Sequence, residues 1–277
     1  MSTAEIAIHV PRARRRALGP LATLARRRFQ LTARTPRELF VPLLTPIMFA
    51  LVIAPALKAA LHTDASYESF VAIGTVGLLI PLNTMFAGLS VIVDRISGAQ
   101  PELLTAPIPR GLLVVGNLVV ALAITALQVG VLIAVAVARG IHFNATGTGI
   151  LWFVAAAVLF TVGMYGLAEI LANRVPRQEE YIARVPAIAI LPWFLAGALF
   201  PITALPGFLT WVAKFLPLTH GLALMRYGLL QDASGLHAVW GQGSTTTMAA
   251  LSLAVVGCFA LLLTAASIRV FSRSAVR

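Results

Sequence analysis

Apolar residues in this sequence collect into six long runs, separated by shorter polar or charged segments. Each run has about the 20 residues that an α-helix needs to cross the hydrocarbon core of a bilayer. The pattern therefore predicts an all-α polytopic membrane protein. The six predicted transmembrane helices cover about residues 39–57, 70–93, 112–138, 149–172, 185–205 and 245–267.

The segment between the fifth and sixth runs, residues 206–244, is too long for a simple turn and too interrupted to span a membrane. Two apolar pieces within it, 211–216 and 218–230, have the length of interfacial or re-entrant helices, and Pro217 separates them. We therefore expect short re-entrant or interfacial helices before the last span.

A basic arm, residues 1–38, precedes the six-span domain, residues 39–277. Four apolar residues between Leu18 and Phe29 share one face of a helical projection, while arginines occupy the remaining surface. This arrangement predicts an amphipathic helix that lies in the headgroup plane with its arginine side chains extended to the interface. The arginines assigned to this interfacial helix are Arg26, Arg27, Arg28 and Arg34.

The composition agrees with a membrane protein, since 59% of the 277 residues are hydrophobic, 11% are charged and the mean hydropathy is +0.90. A water-soluble domain of this length needs more surface charge. The net charge is +11, but the basic residues lie at the ends of apolar runs and in the arm, where they meet anionic headgroups. We therefore expect a lipid bilayer, and not nucleic acid, as the partner. The single cysteine, Cys258, is expected to be a small core residue.

Arginines and lysines are distributed unequally between the two sides of the predicted bundle. Seventeen lie on the side of both termini and four on the other side. Because cytoplasmic segments of membrane proteins carry the excess of basic residues, both termini are predicted to be cytoplasmic. The connection between the second and third runs, residues 94–117, then faces the cytoplasm as well.

This 94–117 segment is charged and interrupted by proline and glycine, so we expect it in water. Residues 101–105 can form a short helix that the following prolines end. Two adjacent leucines among charged residues would be exposed there, and such a surface suits a protein partner better than water. The alternative is an ordinary solvated turn. The residues assigned to the partner contact are Asp94, Arg95, Pro101, Glu102, Leu103, Leu104, Thr105 and Arg110.

Motifs for common enzyme chemistry do not occur in the sequence. A phosphate-binding P-loop needs a Gly-Lys pair, whereas Lys58 and Lys214 follow leucine and alanine. The sequence contains neither H-E-x-x-H nor G-x-S-x-G, and its five histidines are scattered. We therefore expect a transport subunit that has no ATPase motif, no catalytic residues, no metal site and no cofactor of its own.

A few polar and flexible side chains lie within the predicted spans. Polar groups at such depth usually face protein or a water-lined path, so an interhelical hydrogen bond is as good a reading as a ligand contact. Methionine and phenylalanine could form a compliant apolar surface for a greasy substrate, although packing is their commoner role. The candidate path residues are Met48, Phe49, Asn83, Thr84, Met85, Phe86 and Gln128. Glu169, near the end of the fourth span, could reach water or pair with Arg174.

Several of these features together resemble a known family. Arg95, Gly98, Glu102-Leu103-Leu104-Thr105, Pro107-Ile108, Arg110 and Gly116 resemble the segment between the second and third helices of type-2 ATP-binding-cassette (ABC) exporter permeases, of the daunorubicin-resistance and O-antigen-export kind. Pro217-Leu218-Thr219-His220 with Arg226 resembles that family's segment before the last helix, and the basic arm resembles its elbow helix. Asn117 departs from the lysine that relatives often carry.

The resemblance implies a permease subunit in a bacterial inner membrane, paired with an identical or sister permease. A separate ATPase subunit would bind ATP and Mg²⁺, and the short helix around Glu102 would be the coupling helix that docks on it. The transported molecule would be an amphipathic drug-like or lipid-linked substrate. An ATP-independent secondary transporter or channel is the alternative, and it usually needs ionisable residues deep in its spans.

Overall fold

A computed structural model describes residues 18–34, 40, 43–44, 47–61, 66–100, 105, 109–241 and 243–274. Every regular element within these ranges is helical, which confirms the predicted all-α class. The arm before residue 18 and residues 101–104 of the expected coupling helix lie outside the described part.

The described α-helices are α1 (Leu18–Arg34), α2 (Ala54–Leu61), α3 (Ser66–Ile96), α4 (Arg110–Ala138), α5 (Gly147–Arg174), α6 (Gln178–Leu195), α7 (Gly207–Phe215), α8 (Pro217–Leu230), α9 (Ser234–Trp240) and α10 (Thr245–Ser274). Four of them, α3, α4, α5 and α10, are long and apolar enough to cross a membrane. Helices α7 and α8 meet at a bend of 81° and together form a fifth candidate, either a broken span or a re-entrant loop. The described helices are compatible with six spans, and that number stays a prediction.

Hydropathy located the long helices well but marked them shorter than they are. Helix α3 begins four residues before the predicted span 70–93 and ends three residues after it, and α10 continues seven residues beyond residue 267. Apolar runs mark only the part of a helix that lies in hydrocarbon, whereas the helix continues into the headgroup layer with polar side chains. A helix is present in the arm as α1, Leu18–Arg34, and its place in the headgroup plane stays a prediction.

The fifth predicted span, residues 185–205, has the wrong boundaries. Helix α6 begins at Gln178, where Glu179 and Glu180 in its first turn favour a helix start. It ends at Leu195, and Gly197 then takes a left-handed conformation with φ of 79°, so the chain turns away before a short 3₁₀ helix, Ile202–Ala204. The apolar residues after 195 belong to this turn and to the short 3₁₀ helix, and not to α6.

The first predicted span, residues 39–57, is described only in pieces. A π-helical turn, Phe49–Ile53, leads into α2. Pro55, in the first turn of α2, accounts for the departure from regular α-helical hydrogen bonding there. Proline has no N–H for the carbonyl group four residues earlier. That carbonyl, of Leu51, instead accepts a hydrogen bond of 3.2 Å from Arg139 Nη1 at the end of α4.

Helix α5 is the centre of the packing and contacts α3, α8 and α10. Two side chains of α6 attach α6 to α3. Tyr181 Oη donates to Met85 O at 2.8 Å, and Trp193 Nε1 donates to Gly74 O at 2.7 Å. Helix α10 is less buried in the bundle than the other three long helices. Cys258 on α10 is exposed, so the prediction that this cysteine is a core residue was wrong.

Glycine allows the closest helix crossing in the described part of the bundle. A Cβ atom at Gly149 of α5 would lie 2.1 Å from Gly228 O, and one at Gly228 of α8 would lie 2.5 Å from Gly149 O. Small residues let helix backbones approach in this way within membranes. The contact holds the bent α7–α8 pair against the central helix.

Candidate functional site

Helix α3 runs the length of the bundle and separates two ends with different chemistry. Phe70 lies near its start and Arg95 in its last turn, and their separation of 25 residues corresponds to about 38 Å. We call the end with Arg95 the Arg95 end. The opposite end, where Arg226 of α8 contacts Phe70, is the Arg226 end.

At the Arg95 end, the Arg95 guanidinium joins α3 to the last turn of α5. Its Nη1 donates to Ala172 O at 2.9 Å, and its Nη2 donates to Val175 O at 2.7 Å and to Pro176 O at 3.4 Å. Carbonyl groups at a helix end have no partner in their own helix, and the helix dipole favours a cation there. Arg95, which we assigned to a partner contact, thus has its donors engaged within the chain and fixes the start of the 94–117 segment.

Asp94, the neighbouring residue, connects the same end of α3 to the interfacial helix α1. Arg28 Nη1 lies 3.5 Å from Asp94 Oδ2, and Arg27 Nη2 lies 3.9 Å from Asp94 Oδ1. The side chains of Arg28 and Asp94 are largely buried, so this pair is shielded from water more than a surface ion pair. Arg26 and Arg34 are exposed on α1. The interfacial helix therefore divides its arginines between the outer surface and the bundle.

The C-terminal part of the 94–117 segment is also attached to the bundle. Arg110, the first residue of α4, donates from Nη1 to Ser272 O of α10 at 2.9 Å. Gln100 is buried, and its Oε1 has no partner among the described residues. Thr105 is exposed. The described contact residues thus hold both ends of the segment, whereas the roles of residues 101–104 stay a prediction.

The candidate path residues do not line one common cavity in the described part. Asn83 donates from Nδ2 to Thr125 Oγ1 of α4, which is the interhelical hydrogen bond that we considered as an alternative. Thr84 donates to carbonyl groups of its own helix, and Met85 is fully buried in the core. Gln128 is buried, Phe86 is half-buried and Met48 is exposed. The side chain of Phe49 lies outside the described part.

Asn83 and Phe86 line a small cavity of about 40 Å³ between α1, α3, α4 and α5, together with Arg28 and Tyr165. This volume has room for water but not for a drug-sized molecule, because ligand pockets measure about 300–1,000 Å³. A substrate path that uses these residues would therefore need a rearranged bundle or a surface shared with a second chain.

Glu169 is buried deep among polar partners instead of reaching water. It is 1% exposed, accepts a hydrogen bond of 2.9 Å from Tyr165 Oη, and receives a second, of 3.4 Å, from Asn173 Nδ2. Arg174, the expected partner, is exposed. Glu169 also lines a cavity of about 30 Å³ beside Asp94 and Asn117, so the Arg95 end has two carboxyl groups under α1.

At the Arg226 end, the structure reveals a buried arginine to which the sequence analysis gave no role of its own. Arg226 is 5% exposed and lies within the otherwise apolar stretch of α8. One sequence signal could have found it: leucine or alanine occupies all four positions three and four residues away, so no acidic side chain on its own helix can pair with it. Among the described residues, no three His, Cys, Asp or Glu side chains form a group that could hold a metal ion.

The fold and these contacts define a class: a helical membrane protein whose polar connection between two long helices is fastened at both ends. The chain belongs to the ABC-2 type transporter family, whose pattern it matches over residues 20–230. It is also similar to a protein of Porphyra purpurea named "Putative transport permease ycf38", with 24% identity over 214 residues that cover 75% of this chain and 72% of the relative. The chain is therefore a membrane permease of the ABC transporter class, and this membership implies association with an ATP-binding subunit.

Proposed function

We propose that the chain is the permease subunit of an exporter that is driven by a separate ATPase, which binds ATP and Mg²⁺. Two permease chains, identical or paired with a sister chain, form the path in a bacterial inner membrane, with both termini in the cytoplasm. The substrate is an amphipathic drug-like or lipid-linked molecule. Residues 1–38 act as the arm and elbow helix, and residues 39–277 as the six-span domain.

The observation that carries this proposal is the attachment of the 94–117 segment. Arg95 connects its start to the end of α5, and Arg110 connects its other side to α10. ATP binding can move a bundle only if the docked segment transmits a displacement, and a segment that pivots freely would absorb it. With both sides fastened, a push on residues 101–105 moves α3, α4, α5 and α10 together.

Asp94 extends the same argument to the membrane surface. Its ion pairs with α1 tie the interfacial helix to the last turn of α3, next to Arg95. A displacement of α3 would therefore also shift α1 within the headgroup layer. ATP binding to the ATPase would thus shift a connected set of helices between two arrangements, and the movement would not be confined to a single loop.

Co-purification of the ATPase tests the docking step. The double variant Glu102→Arg with Leu103→Asp reverses one charge and replaces an apolar side chain by a charged one in the proposed coupling helix, and we expect the ATPase subunit to be lost from the purified complex. A matched control, Glu179→Arg with Ile182→Asp, makes the same chemical changes at exposed positions of α6 and should retain it. Retention by the first variant would contradict the coupling assignment.

An ATP-independent secondary transporter or channel is the second candidate, and the burial of Glu169 within α5 favours it. Buried ionisable groups in spans often serve coupling ions. Proteoliposomes separate the candidates. If a proton gradient alone moves a fluorescent amphipathic dye through the reconstituted chain, and Glu169→Gln abolishes this movement, the second candidate is correct. Movement only with the ATPase and ATP supports the first.

A further inference from the structure

A large cavity lies at the Arg226 end, far from the proposed ATPase contact. It has a volume of about 380 Å³ and lies between the start of α3, the turn after α6, and helices α8 and α9. Its size falls within the range of about 300–1,000 Å³ that is typical of small-molecule sites. Polar side chains that line it include Thr203, Thr219, Arg226, Ser234 and His237.

Arg226 supplies the positive charge of this cavity. Its Nη2 donates to Ala198 O at 3.0 Å and to Phe70 O at 3.4 Å, and its guanidinium carbon lies 3.3 Å from the centre of the Phe70 ring. These contacts fix the plane of the guanidinium group. They engage one of its three nitrogen atoms, and Nε is buried without an acceptor among the residues that the structure describes.

No ion pair joins Arg226 to an acidic side chain in the described part of the chain. Asp232, just beyond α8, is near enough to favour the Arg226 charge, but it makes no direct contact with it and accepts the backbone N–H of Ser234 at 2.9 Å. Burying a guanidinium ion away from water without a counter-charge is unfavourable. An anion held against the remaining donors would offset this cost, and a guanidinium group can bind a phosphate or carboxylate through two parallel hydrogen bonds.

Thr219, which also lines the cavity, has a second unsatisfied side-chain group. Its hydroxyl is buried and has no partner among the described residues. Thr75, Thr84 and Thr161, within the long helices, each donate to the carbonyl group four residues earlier. Thr219 lies in the first turn of α8, where its own helix has no such carbonyl.

The spacing along α8 lets both groups act on one ligand. Thr219, Ala223 and Arg226 follow one another at helical intervals, so they share a face. Long side chains on a helix point back toward its start, which brings the Arg226 guanidinium toward Thr219. Ala223, which lies between them along the helix, also lines the cavity.

We propose that this cavity binds an oxyanion of the phosphate class, held by Arg226 Nε and Nη1 and by the Thr219 hydroxyl. The phosphate of a lipid headgroup and free inorganic phosphate share this chemistry. The inference does not depend on the proposed function, since it rests only on the geometry at the Arg226 end. It assigns α8 a role as the support of an anion site.

Thermal unfolding of the full-length chain in dodecyl maltoside tests the proposal. The protein is titrated with dihexanoyl phosphatidylglycerol against dihexanoylglycerol, which has the same chains without phosphate, and with sodium phosphate against sodium chloride at equal ionic strength. We expect at least one phosphate compound to raise Tm in the wild type. A rise with the lipid alone identifies a headgroup as the ligand, and a rise with both identifies a site that also takes free phosphate.

Variants decide whether Arg226 and Thr219 are responsible. We expect Arg226→Gln to weaken binding at least about tenfold and Thr219→Val to weaken it several-fold, because each removes donors to the anion. The control Arg139→Gln changes an exposed arginine outside the cavity and should bind like the wild type. The proposal is overturned if neither phosphate compound raises the wild-type Tm, or if Arg226→Gln binds normally. Should Arg226→Gln fail to fold, unchanged binding by Thr219→Val would overturn it.

Discussion

Replacing Arg95 by methionine tests whether the 94–117 segment is fastened as described. Methionine keeps an apolar stem of similar reach but has no donors, so the carbonyl groups of Ala172 and Val175 lose their guanidinium partner. The third contact, to Pro176 at 3.4 Å, is too long to contribute much. The change therefore removes two good hydrogen bonds from the junction of α3 and α5.

The expected size of the effect follows from the two bonds and their exposure. A hydrogen bond from a charged donor contributes about 1.5–3 kcal/mol when it is shielded from water. Arg95 is half-buried, so water replaces part of what is lost, and we take about 2 kcal/mol for the pair. A change of that size corresponds to about a 30-fold increase in the opening of the last turn of α5.

Hydrogen–deuterium exchange measured by mass spectrometry gives this number directly. In Arg95→Met, the amides of residues 171–175 should exchange about 30-fold faster than in the wild type, since exchange reports local opening. Arg184→Met is the matched control, because its ion pair with Glu180 is 3.9 Å long and exposed and should contribute little. Equal exchange in Arg95→Met and the wild type would refute the reasoning.

Two further substitutions test the neighbouring contacts. Asp94→Asn removes the charge that holds α1 against α3, and we expect the docking of α1 to weaken by about 1–2 kcal/mol. Trypsin should then cleave within α1 roughly tenfold faster than in the wild type. The control Asp232→Asn, at the other end of the bundle, should leave the cleavage rate unchanged. Gly228→Ala places a Cβ atom 2.5 Å from a carbonyl oxygen of α5, so α8 must shift and Tm should fall by an amount equivalent to about 1–3 kcal/mol. Gly221→Ala on the same helix meets nothing within 4 Å and should leave Tm unchanged or raise it slightly, and equal Tm values for the two variants would contradict the close crossing.

The sequence was most informative where one physical requirement dominates. A helix in hydrocarbon must be long and apolar, so α3, α4, α5 and α10 could be located from hydropathy alone. The helix α1 and the break at Pro217 were likewise readable from local pattern. Helix α6 was placed wrongly because its first turns carry charge, while the apolar residues after its end form a turn.

Contacts between distant parts of the chain could not be predicted in the same way. Arg95 and its carbonyl partners are about 80 residues apart, and Asp94 and Arg28 are separated by 66. Charge and exposure in the sequence suggested a surface for a partner, whereas packing turned these side chains inward. Arg226 differs, since its lack of an acidic neighbour along α8 was visible in the sequence, but the cavity beside it depends on α3, the turn after α6, and α9.

The central claim is that the 94–117 segment contacts the ATPase on the cytoplasmic side. The chain has one cysteine, so Cys258→Ser gives a cysteine-free background, and Thr105→Cys adds a single reactive position at an exposed site of the segment. A reagent that carries one maleimide and one photoreactive group should then cross-link the chain to its ATPase subunit, and a membrane-impermeant maleimide added to intact cells should leave the introduced thiol unlabelled. Labelling from outside without a cross-link to the ATPase would contradict the account.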